Sequence, residues 1–134
     1  MARVTTISGW VECSHEAQLR AARAAVADSF GFSESHGIPQ ADAYHYLKYW
    51  TFVANHGISA GHAFFGHVLV GGADTYVRAQ IERVAAAVYQ AGQPYAYEDR
   101  EALQGAFRYG DSGGHDWLWE LRGGVVRERR WPAG

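Results

Sequence analysis

Two apolar stripes at helical spacing, each set between β-forming segments, constrain this chain most. Leu19, Ala22, Val26 and Phe30 recur at steps of three and four residues, and so do Val77, Ile81, Val84 and Val88. Each stripe predicts a helix with one buried face. The first runs over residues 15–30, with Ser14 suited to the N-cap and Gly31 to the end. The second runs over 75–91, with Asp74 before it and Gly92 and Pro94 after it. A helix with a single apolar stripe needs a second layer to cover it, and the remaining segments supply strands.

Residues 4–13 are rich in β-formers and read as the first strand. Residues 43–54 alternate as a long strand, with His45, Leu47, Tyr49, Thr51 and Val53 on one face. Tyr44, Tyr46, Lys48, Trp50 and Phe52 take the other. Residues 62–70 return as the second arm of a hairpin, 102–109 and 115–121 follow, and Gly123-Gly124 turns the chain back into 125–131. The expected order is β-α-β-β-α-β-β. It gives an α+β fold, a mostly antiparallel five-stranded sheet with both helices on one face.

Length and composition narrow the class. The 134 residues, 48% hydrophobic and 19% charged, suit a single domain over 1–134 with a real core. Cys13 is the only cysteine, which excludes a disulfide scaffold and a cysteine zinc site. The first residues carry no apolar leader and no apolar run could span a bilayer, so a cytoplasmic protein without a membrane partner is expected. The net charge of −2 is uneven along the chain. Residues 93–121 carry six acidic and two basic side chains, whereas 122–134 carry four arginines and one glutamate. Nucleic-acid binding needs a broad basic face, and only Arg127, Arg129 and Arg130 cluster, so no nucleic-acid partner is expected.

No complete catalytic constellation is present. His62 and His67 are separated by an odd number of residues and point to opposite strand faces, so no metal site is expected from them. His115 and Asp116 are adjacent and point apart for the same reason. Cys13 reads as a structural thiol, because Glu12 and Glu16 oppose its ionisation. Glu12 shares a strand face with Trp10. It suits a desolvated base, a cross-sheet ion pair or a contact to a basic partner. Both faces of the 43–54 and 62–70 hairpin are largely apolar or aromatic, more than an idle solvated face carries.

Gly9-Trp10-Val11-Glu12 leads into a helix. A Gly-Gly turn precedes a second helix carrying Ile81-Glu82-Arg83-Val84-Ala85, and the chain closes with Trp117-Leu118-Trp119-Glu120-Leu121-Arg122-Gly123-Gly124-Val125-Val126. This layout resembles the small α+β immunity proteins of bacterial polymorphic-toxin systems. The resemblance implies tight binding of one cognate toxin, without catalysis or cofactor. Glu12, Trp50, Glu98, Asp99, Asp111, Asp116 and Glu120 are the expected partner contacts, with the acids meeting a basic toxin surface. A different reading is a cofactor-independent cyclase or monooxygenase of dimeric α+β-barrel type. Its pocket would be walled by Tyr44, Tyr49, Asn55 and His62, with His45 or His67 as acid–base group. A homodimer formed through the open sheet face is compatible with both.

Overall fold

The computed structural model describes residues 4–54, 61–70, 73–95 and 102–131. Strand β1 (Val4–Cys13) leads into helix α1 (Glu16–Asp28), then two short 3-10 turns and helix α2 (Gln40–Lys48). Strands β2 (Trp50–Ala54) and β3 (Gly61–Val70) precede the long helix α3 (Ala73–Gly92). The chain finishes with β4 (Gly105–Asp111), β5 (Asp116–Arg122) and β6 (Val125–Arg130). All six strands form one sheet in the order β2-β3-β1-β4-β5-β6, and every neighbouring pair is antiparallel. Four of them, β2-β3-β1-β4, with α1 and α3 as crossovers, make the split βαβ (ferredoxin-like) arrangement. The β5–β6 hairpin widens that core.

The α+β class and the antiparallel sheet agree with the sequence reading, and the count does not. Among the described residues there are six strands rather than five, because the return segment after Gly123-Gly124 is a full strand of its own. The same residues form three α-helices rather than two, because the expected strand over 43–54 is α2 followed by the short β2. The aromatics there do alternate, but Ala43, Tyr46 and Leu47 also lie at helical spacing, and those are the groups that turn inward. Gln40-Ala41-Asp42-Ala43 favours a helical start, and Tyr46 packs edge-on against Tyr76 of α3 with ring centroids 5.7 Å apart. At the other helix start, His15 rather than Ser14 occupies the N-cap of α1, and the Gln18 side-chain oxygen accepts from the backbone N–H groups of both. Asp74 lies inside the first turn of α3 rather than ahead of it.

Strand alternation decides which side of the sheet is buried. Ile7, Val11 and Cys13 of β1, Phe65 and Leu69 of β3, Phe107 of β4 and Trp119 and Leu121 of β5 all face α1 and α3. The helices meet them with Leu19, Ala22 and Val26, and with Val77, Ile81, Val84 and Val88. Burying such side chains contributes roughly 1.5–3 kcal/mol each before entropy is set against it. Several polar groups inside this layer are paired. Trp50 Nε1 donates to Gln80 Oε1 (3.2 Å), Gln80 Nε2 to Ser29 Oγ (3.0 Å), and the Tyr76 hydroxyl to the Ser29 carbonyl (3.0 Å). Gln18 Nε2 reaches the Val88 carbonyl at 3.0 Å and so ties the start of α1 to the end of α3.

Candidate functional site

Both long helices lie on one side, and among the described residues no helix covers the other side of the sheet. The register builds that face row by row. Thr51, Phe64, Trp10, Ala106, Glu120 and Arg127 run across all six strands as directly opposed neighbours. Beside them run Val53, His62 and Glu12, and on the other side Ser8, Arg108, Leu118 and Arg129. Phe64 and Val53 are 40% and 42% exposed, Trp10 is half-buried, and the His62 ring stacks beside Phe64 with centroids 5.8 Å apart. The half of the face on β2, β3 and β1 therefore carries the aromatic and apolar side chains, with Thr51, Ser8 and the exposed Glu12 beside them.

The half on β4, β5 and β6 is charged, and arginine dominates it. Glu120 is held between Arg129 (2.7 Å) and Arg122 (3.0 Å), which keep its carboxylate below the usual range. Asp116 lies 3.8 Å from Arg108. Counting Arg108, Arg122, Arg127 and Arg129 against Asp116 and Glu120 leaves this half two charges positive. Of the acids in residues 93–121, Asp116 and Glu120 therefore do not stand as an acidic patch, because Arg108 of β4, Arg122 of β5 and Arg129 of β6 lie against them.

The expected site residues are dispersed by the fold. Trp50, expected at a partner surface, is in the core against Phe65 and Phe107. Asp111, expected to meet a partner, instead closes the β4–β5 turn. It accepts from the backbone N–H groups of Gly113 (2.9 Å) and His115 (3.0 Å) and lies 3.2 Å from His115 Nδ1. The His115 amide is the largest of the causes that lower its pKa. Glu12, Asp116 and Glu120 do lie on the uncovered face. Glu98, Asp99 and Asn55 lie outside the described residues.

Of the expected pocket residues, Tyr49 and His67 come together, whereas His45 and Tyr44 are exposed on α2 and lie apart from them. His67 faces the helices and stacks on Tyr49 with centroids 3.6 Å apart, and burial lowers its pKa. His62 points to the uncovered face, opposite in sense to His67 as the odd spacing requires. Among the described residues, no group of three or more His, Cys, Asp or Glu side chains is placed to hold a metal ion. No helix among them is long and apolar enough to cross a membrane.

Sequence reasoning misses Phe64 and Arg108 as members of this face. Alternation within 62–70 and 102–109 assigns each a side of its own strand. Only the inter-strand register shows that Phe64 abuts Trp10 and that Arg108 points the same way. Comparison of the chain with family models, curated proteins and solved structures finds no match.

Proposed function

We propose that this chain is a binding protein of immunity type, which neutralises a toxin domain by covering it with the uncovered face of the sheet. The observation that carries this reading is the Trp10–Phe64 pair, directly opposed on the neighbouring interior strands β1 and β3 and overlain by no helix among the described residues. Exposed aromatic and apolar area of this kind marks interaction surfaces, and Trp with Arg is the composition of interface hot spots. The arginines on β4–β6 set the charge of the complement. The toxin surface it fits is apolar where it meets Trp10 and Phe64 and acidic where it meets Arg108, Arg127 and Arg129. This reverses the basic partner that the charge run alone implies.

The test is co-expression with the product of the neighbouring toxin gene in the native host, read as survival and as co-purification. The wild-type chain is expected to protect and to co-purify. Trp10→Ala with Phe64→Ala is expected to weaken binding by about 2 kcal/mol or more, roughly 30-fold. Failure of the wild type to bind or neutralise any neighbouring toxin would overturn the reading.

A further inference from the structure

The two edge strands of the sheet differ in kind. β6 carries Arg127, Glu128, Arg129 and Arg130, and charge of this density keeps other strands from pairing with an edge. β2 forms the opposite edge as Trp50-Thr51-Phe52-Val53-Ala54, with no charge and no proline, and at an ordinary strand length. Its pairing with β3 runs from Trp50 and Phe65 to Ala54 and Gly61 without a bulge. Thr51, Val53 and Ala54 are exposed, and among the described residues no strand lies beyond them. An antiparallel edge strand turns the N–H and C=O groups of alternate residues away from its neighbour. The complement of such a row is a further extended backbone.

The side chains around this edge set the chemistry of that backbone. Phe52 faces the helices, and the Arg23 guanidinium of α1 lies 5.3 Å from its ring centroid. Lys48 stands just ahead of β2, 5.3 Å from the Tyr44 ring centroid. Both cations are exposed, and neither is paired with a carboxylate among the described residues. A strand added roughly 4.8 Å outside β2 sets a side chain beside Phe52, within reach of Arg23. A carboxylate there gains a partner, and a lysine is repelled. On the uncovered face the added strand lies beside Thr51 and Val53, where an apolar side chain is favoured. A second copy of this chain does not meet these terms. Pairing two β2 strands with the helices kept on one side brings Arg23 towards its own copy.

We infer that the β2 edge takes up an extended segment of another protein as an additional strand. The segment alternates apolar residues on the uncovered face with an acidic residue towards Arg23. Backbone hydrogen bonds hold it, and the alternation selects it. The inference rests on the edge itself and not on the toxin reading of the uncovered face.

The test is a displayed library of random peptides of about ten residues, panned on the full chain, with the recovered sequences then made as free peptides. Recovered sequences are expected to alternate apolar and acidic residues. The free peptide is expected to slow exchange of those amides of Trp50–Ala54 that do not bond to β3. Thr51→Lys with Val53→Lys gives β2 the charge that β6 carries. Both positions are exposed, so the urea midpoint is expected to hold while peptide binding falls about tenfold or more. Arg23→Glu is expected to weaken the acidic peptide about tenfold, and a peptide with lysine in place of its acid is expected to restore binding to that variant. Recovery of no alternating sequence, binding that leaves the β2 amides exchanging as in the free chain, or an unchanged affinity in Arg23→Glu would each overturn the assignment.

Discussion

Gly9 and Trp10 are adjacent in β1 and serve opposite sides of the sheet. A Cβ on Gly9 would overlap the Ala106 carbonyl and lie 2.6 Å from the Phe107 ring, so β4 can pack here only because Gly9 has no side chain. Phe107 in turn reaches Trp50 with ring centroids 6.0 Å apart. Trp10 points the other way, into the uncovered face. Gly9→Ala is expected to cost about 1–3 kcal/mol in urea unfolding, through overpacking. Trp10→Ala is expected to stay within about 1 kcal/mol of wild type in the same assay, because its ring is only half-buried. Cys13 gives a second residue-level expectation. Burial, and then the neighbouring Glu12 charge, push its thiol up to about 12, so almost no thiolate exists at pH 8. An aromatic disulfide reagent at pH 8 is expected to leave the native protein unmodified and to label one thiol once urea unfolds it. Rapid labelling of the native protein would contradict the burial of Cys13.

At the scale of elements, the β5–β6 hairpin shows why local charge counting misleads. Residues 93–121 are acidic along the chain, but register rather than proximity in sequence selects neighbours: it sets Arg127 opposite Glu120 and brings Arg129 diagonally within 2.7 Å of the same carboxylate. The same arginines line an edge strand, where charge also discourages pairing with another sheet. Gly124 makes the turn with φ +77°, and a Cβ there would meet Tyr89 of α3 at 3.0 Å. That glycine lets the hairpin sit against the helix. Asp111 and Glu120 make the acid limb of stability a property of this region. Both have pKa values lowered from their ordinary 3.8 and 4.5, by the His115 amide first and by Arg122 first respectively. A lowered folded-state pKa contributes stability that is present above the unfolded value and lost as pH falls through the folded one. The denaturation midpoint is therefore expected to hold from neutral pH to about 4.5 and to fall below it. In Asp111→Asn with Glu120→Gln the fall is expected to be shallower, as measured by urea titration at pH 6 and pH 3.

Legibility in the sequence followed the same physics. The stripes at Leu19, Ala22, Val26 and at Val77, Ile81, Val84, Val88 were readable because a helix between sheet and solvent buries one face only. Residues 43–54 were not, because alternating aromatics over a stretch containing Ala43, Tyr46 and Leu47 satisfy both periods. The side on which Trp10 and Glu12 project was readable from alternation. Their abutment on Phe64 and His62 required the β1–β3 pairing, which no local pattern encodes.

At the scale of the molecule, the described helices leave one broad face of the sheet open. An aromatic half and an arginine half side by side are poorly suited to a second copy in a two-fold stack that sets the arginine halves against each other. They suit an acidic, partly apolar heterologous surface. The free protein is expected to sediment as a monomer of 14.8 kDa across the micromolar range. Association with the partner should slow as salt rises, because charge on β4–β6 steers the encounter. Arg127→Glu with Arg129→Glu should lower the association rate about tenfold or more and flatten its salt dependence, while Trp10→Ala should act on dissociation instead. A stable homodimer that Trp10→Ala dissolves would show that the aromatic half is covered by a second copy of the chain. The arginines would then serve mainly to protect the β6 edge.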